Sequence, residues 1–172
     1  MTSSVPFNLP NFDLPAFVCA TLAEDMGPLN RDVTSESVIP AEAQFSGKMR
    51  SREEIVVAGL PIAAAFFRHL DPEMQIDLLV DEGQIVSAGA PLMALAGRAR
   101  AMLTAERSAL NIVQHLSGIA TMTRAYVDAI AGTGCTLLDT RKTIPGLRVL
   151  DVQADANHNR SVFTLAASVA PA

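Results

Sequence analysis

The sequence contains no tryptophan and a single tyrosine, Tyr126, and aromatic residues make up 5% of it. Aliphatic side chains must therefore build most of the core. Cysteine is nearly absent. Cys19 and Cys135 stand far apart, and neither has a histidine or a second cysteine at metal-ligand spacing. A zinc site or a disulfide framework is thus not expected, and two buried thiols are the plainer reading. No apolar run approaches the ~20 residues of a bilayer span; the longest uncharged one, Ile55 to Phe67, is broken by Gly59 and Pro61. Met1 to Ser4 show no basic segment leading into an apolar one, so no secretory signal is expected and the cytosol is the default compartment. Basic residues are the minority, 13 Lys and Arg against 18 Asp and Glu for a net charge of −5. That field disfavours nucleic acid and anionic membrane as partners, yet leaves room for a local cationic site.

The 172 residues suit one ordinary domain, or a small domain with part of a second. After a proline-bearing arm, Asp13 to Met26 reads as a helix, with Pro15 in its first turn, Val18 and Leu22 four apart, and Gly27-Pro28 as its stop. Asn30 to Ala41 reads as an extended connection. Phe45 to Arg50 and Ile55 to Ala58 read as strands, and Leu60 to Leu70 as a helix closed by Asp71-Pro72. In Met74 to Val80, alternation predicts a half-buried strand before the turn at Asp81-Glu82-Gly83. Ile85-Val86 and Pro91 to Leu95 continue as short strands, so Phe45 to Leu95 forms a small sheet crossed by one helix. From Arg98 to about Ala131 the pattern is helical, with a break expected at Gly118. Thr136 to Asp139 reads as a buried strand that runs straight into the polar Thr140-Arg141-Lys142-Thr143, and Pro145-Gly146 then turns the chain.

Two places could carry chemistry. On the long helical run, Leu103, Arg107, Leu110, Gln114 and Ser117 share a stripe, which sets an arginine among residues expected to face a core or a partner. Such a guanidinium needs an anion: a substrate, or a carboxylate such as Glu106 or Asp128, unless it snorkels to water. The segment Asp139 to Arg148 is sharper, because it gathers three cations just past an apolar strand, where α/β sheets and barrels place ligands. Arg141 offers a fixed fork and Lys142 a mobile point charge, a pairing suited to a substrate with more than one anionic group; a solvated basic loop is the alternative. No carboxylate pair marks a metal or acid–base site. Asp81 to Leu92 has the outline of a biotinyl- or lipoyl-carrier half-motif but lacks the modified lysine, and reads as a folded sheet element. His69 and His115 read as surface or satisfied residues.

Five ordered blocks carry a resemblance: Leu22 to Asp25, Val57 to Leu60, Leu103-Thr104-Ala105-Glu106-Arg107-Ser108-Ala109-Leu110-Asn111, Leu116 to Thr121, and Leu138-Asp139-Thr140-Arg141-Lys142-Thr143 with Pro145 to Arg148. From about Phe12 to Leu150 the chain resembles quinolinate phosphoribosyltransferase, the carboxylating nicotinate-nucleotide pyrophosphorylase of NAD biosynthesis. The resemblance implies an α+β fold, an N-terminal α/β sandwich followed by the helices and first strand of an incomplete α/β barrel. The expected divisions are an arm at 1–11, the sandwich with its long helix at 12–117, the start of the barrel at 118–150 and a divergent tail at 151–172. In the family, one subunit's sandwich covers the other's barrel in a dimer.

By that resemblance Arg107 would reach quinolinate in the neighbouring subunit, and Thr140, Arg141, Lys142 and Thr143 would hold its carboxylates. The pyridine nitrogen attacks the anomeric carbon of phosphoribosyl pyrophosphate, magnesium holds the departing pyrophosphate, and decarboxylation leaves nicotinate mononucleotide. The magnesium ligands of the family are not found in this chain, and no catalytic residue is assigned. Asn157-His158-Asn159-Arg160 only faintly echoes a family segment, so no role passes to His158 or Arg160, and Ser161 to Ala172 shows no recognisable element. The expected activity is therefore impaired in this chain alone, and the alternative is a non-catalytic dimerisation or interaction module derived from the enzyme.

Overall fold

The computed structural model describes residues 12–135, 137, 147–155 and 160–167. Contacts divide the chain at Gly118: one unit runs from Asp13 to Gly118, and the described residues from Ile119 onward belong to a second.

The first unit begins with helix α1 (Leu14–Met26), whose N-cap Asp13 accepts a hydrogen bond from the Ala16 N–H, satisfying one of the donors that a helix start leaves free. Its buried face carries Val18 and Leu22, and Phe17 meets Phe66 edge to face at 6.1 Å. Helix α2 (Val33–Val38) follows, a correction to the extended connection expected at Asn30 to Ala41. The missed signal is Asp32, which caps α2 through the Ser35 N–H at 2.9 Å.

Strand β1 (Gln44–Arg50) and β2 (Ile55–Val56) lead to helix α3 (Leu60–Leu70), then β3 (Gln75–Leu78), β4 (Ile85–Val86) and β5 (Pro91–Arg98). The expected single sheet is two. β1, β5 and β3 form an antiparallel sheet in that order, while among the described residues β2 pairs only with β4. β1 runs against β5 from Gln44↔Arg98 to Met49↔Met93 and slips between Met49 and Arg50.

Helix α3 supplies much of the core, with Leu60, Ile62, Phe66 and Phe67 almost fully buried, as are Leu92 and Met93 of β5; each such side chain contributes about 1.5–3 kcal/mol through removal from water. Its start is built by distant residues. Gly59 adopts φ +95°, and a Cβ there would lie 2.8 Å from Leu116 Cδ1. The Glu82 carboxylate accepts from the Gly59 and Leu60 N–H groups, both at 2.8 Å, so the helix N-terminus receives the negative charge it favours.

Helix α4 (Ala99–Ala129) is continuous. The break expected at Gly118 is absent, because an isolated glycine inside a strongly helical run costs only about 1 kcal/mol and this one is solvent-exposed. In the second unit β6 (Leu147–Asp155) and β7 (Arg160–Ala167) pair antiparallel, Leu147↔Ala167 through Asp155↔Arg160. The tail expected to lack a recognisable element thus contains a strand, and β6 crosses the division placed at Leu150. Of the strand expected at Thr136 to Asp139, only Leu137 lies within the described residues.

Both cysteines are exposed, which corrects the reading of buried thiols; Cys19 follows the buried Val18 onto the outer side of α1. His69 and His115 are exposed on α3 and α4. No helix among the described residues is long and apolar enough to cross a membrane.

Candidate functional site

The face of α4 that looks toward α1 and α2 is polar and regularly spaced. Arg100 donates from Nε to the Ile39 carbonyl at 2.7 Å and from Nη2 to the Glu36 carbonyl at 3.1 Å, so it closes the C-terminal end of α2, where a cation is favoured. One turn on, the Thr104 hydroxyl donates to Asp32 Oδ2 at 2.9 Å. The bonds that Asp32 accepts from the Ser35 hydroxyl and N–H and from Thr104 outweigh its partial burial, and its carboxyl is held below the usual carboxylate range. The next residue on this face is Arg107, whose Nε stands 3.4 Å from Asp25 Oδ1 near the end of α1. Residues at i, i+4 and i+7 of one helix thus tie α2 and α1 to it.

Arg107 is not among apolar neighbours as its stripe suggested: 85% of its side chain is exposed. The buried face of α4 lies elsewhere, on Ala101, Ala105, Ala109, Val113, Leu116 and Ser117. Leu103 and Gln114 are exposed, and of the expected stripe only Ser117 is buried. The buried face of α4 is rich in small residues, and alanine contributes too little to an apolar pattern for the inward stripe to stand out. Neither carboxylate named as an alternative partner takes Arg107. Asp128 pairs with Arg124 at 2.9 Å, and the carboxylate beside Arg107 is Asp25, far away in sequence. Its only signal was membership of the block Leu22 to Asp25. The exposed guanidinium beside a single carboxylate stays open to a further anion.

Thr140, Arg141, Lys142 and Thr143 lie outside the described residues. For magnesium, no group of three or more His, Cys, Asp or Glu side chains able to hold a metal occurs among the described residues.

A family model of the quinolinate phosphoribosyl transferase N-terminal domain matches residues 32–117, and the C-terminal domain model of the same family matches residues 119–157. The chain belongs to the quinolinate phosphoribosyl transferase family. The family match extends past Leu150, where the resemblance by motif stopped. Among related proteins, a carboxylating nicotinate-nucleotide pyrophosphorylase of Mycobacterium leprae is 42% identical over 128 residues, covering 72% of this chain and 44% of the relative. A chloroplastic one of Arabidopsis thaliana is 35% identical over 165 residues, covering 93% and 47%. Among solved structures, the nicotinate-nucleotide pyrophosphorylase of Francisella tularensis superposes with a TM-score of 0.72 at 37% identity, over 81% of this chain and 48% of that one. The chain therefore spans about half the length of the family members it matches. Its α+β architecture is that of the family's N-terminal half.

Proposed function

We propose that this chain serves phosphoribosyl transfer from phosphoribosyl pyrophosphate to quinolinate, with decarboxylation to nicotinate mononucleotide. Its contribution is the binding of the pyridine dicarboxylate. By the family resemblance, Arg107 reaches quinolinate in a neighbouring subunit, and Thr140, Arg141, Lys142 and Thr143 hold its carboxylates. The pyridine nitrogen forms its bond to the anomeric carbon as pyrophosphate leaves with the electrons of the old bond. Loss of the 2-carboxyl as carbon dioxide then returns its electron pair to the ring, where a proton replaces it. Fixed cations serve both stages, because they hold the ring in line for attack and offset the two negative charges that binding brings together.

The observation that carries the reading is the ordered match to both family domains with Arg107 exposed at the end of a three-residue anchoring stripe. The working unit is a cytoplasmic homodimer or higher oligomer in which a neighbouring subunit meets Arg107.

The test pairs this chain with an intact family member whose own arginine at the Arg107 position has been changed to alanine. Nicotinate mononucleotide formation from quinolinate and phosphoribosyl pyrophosphate is expected only in the mixture, and only while this chain keeps Arg107. No rescue by the unaltered chain overturns the assignment of Arg107. Ordinary turnover by the chain alone overturns its dependence on a second subunit.

A further inference from the structure

The outer edge of β1 lacks a neighbour among the described residues, since β1 borders only β5 in its sheet. The Ala99 N–H donates to the Ala43 carbonyl at 2.8 Å. In an antiparallel ladder this sets the phase, so the backbone groups of Phe45, Gly47 and Met49 face β5 while those of Gln44, Ser46 and Lys48 point to the open edge. An open edge of seven residues is a template for another strand unless something blunts it.

Beside this edge runs a groove of about 570 Å³ between β1 and α4. Met49, Leu92, Leu95 and Met102 lie in its floor, and Phe45 and Leu103 stand on its rim, 58% and 44% exposed. Gly47 sets no side chain into it, and the ring of Phe45 lies over the gap, with Cε1 3.1 Å from where a Cβ would be. A groove between an edge strand and a helix receives an extended peptide by strand addition, main chain to main chain, with alternate side chains pointing inward.

The two faces of β1 specify the occupant. Phe45, Gly47 and Met49 share the groove face and ask for apolar cross-strand neighbours. Lys48 alternates to the other, exposed face, while Arg50, which borders the groove, donates from Nη1 to the Gly89 carbonyl at 3.0 Å, in a chain of net charge −5. Arg52, Glu53 and Glu106 also border the groove, but Lys48 belongs to the edge strand itself, where opposite charges across the pair are favoured. A second copy docking β1 to β1 would bring like charges together there.

We propose that the β1 edge is a strand-addition site for an extended segment of a second polypeptide, apolar on one face and acidic on the other. Its backbone pairs with Gln44, Ser46 and Lys48, its apolar side chains enter the groove, and its carboxylates lie beside Lys48. This site is separate from Arg107 and does not depend on the transferase reading.

The probe is a labelled heptapeptide alternating aspartate and leucine, titrated into the full chain and followed by fluorescence anisotropy, with a lysine–leucine peptide as its counterpart. The aspartate peptide is expected to bind at least about tenfold more tightly, and Ser46→Pro to weaken it by at least about tenfold, since proline removes an N–H that an added strand needs. Far-UV circular dichroism should be retained, because that N–H makes no bond to β5. Lys48→Glu should reverse the preference between the peptides, and reads out the site even if the proline variant does not fold. Equal affinity for both peptides, no binding of either, or binding indifferent to both substitutions overturns the proposal. So does a homodimer in light scattering that Ser46→Pro dissolves and the aspartate peptide does not, since a second copy would then occupy the edge.

Discussion

Arg107 Nε stands 3.4 Å from Asp25 Oδ1, and the two side chains are 85% and 20% exposed. A pair this open to water contributes about 0–1 kcal/mol to folding, so its consequence is orientation: the carboxylate restrains a long side chain on the rim of the sandwich. Asp25→Asn is expected to lower the unfolding free energy in urea by less than about 1 kcal/mol. In the mixed assembly with an intact family member it should weaken the calorimetric quinolinate signal severalfold, whereas Arg107→Ala abolishes this chain's share. A large stability loss with unchanged binding would make the pair structural.

Ser117 answers a different need. Its hydroxyl accepts from the Ala58 N–H at 3.0 Å and donates to the Ala58 carbonyl at 3.2 Å, and the residue is 2% exposed. Ser117→Ala removes the partner of two backbone groups inside the core. The expected loss is about 1–3 kcal/mol, read from urea denaturation with the slope unchanged. A loss within error would show that water reaches Ala58.

Much of this fold was legible in the sequence because its elements advertise themselves locally. Asp13, Pro15 and Gly27 bracket α1, and Asp71-Pro72 stops α3 where expected. What was missed depends on long-range partners. α2 has only six residues and is held by Arg100 and Thr104 from the far side of the unit. Half of the inward stripe of α4 is alanine, so periodicity favoured the wrong face. Asp25 could not be paired with Arg107 from spacing, since only the packing of α1 near α4 brings them together. The cationic segment after Asp139 was conspicuous for the opposite reason: its charges are adjacent along the chain.

The start of α3 should be sensitive at two points. Glu82→Ala deletes the acceptor for the Gly59 and Leu60 N–H groups and is expected to cost about 1–2 kcal/mol. Glu82→Gln keeps an acceptor and should cost less. Gly59→Ala should exceed both, because it adds a Cβ at φ +95° only 2.8 Å from Leu116 Cδ1. Thermal midpoints ordered otherwise would show that α3 does not rely on this cap.

The acid limb of stability should report Asp71. The residue is 3% exposed, its Oδ2 accepts from the Arg98 N–H at 2.9 Å, and Arg98 Nε lies 3.1 Å from Oδ1. Burial pushes this carboxyl up, but the bonds and charge of Arg98 push it down further, and it stays ionised below the usual range. A carboxyl more acidic in the folded than in the unfolded chain stabilises fully above its unfolded value of about 4, and that contribution is lost as the pH falls through the folded value. Urea midpoints of the unaltered chain should therefore fall more steeply than those of Asp71→Asn once the pH drops below about 4. The difference between the two should be constant from about pH 5 upward, where Asp71 is ionised in both states. Parallel curves through the acid range would mean that Arg98 does not hold the Asp71 charge in solution.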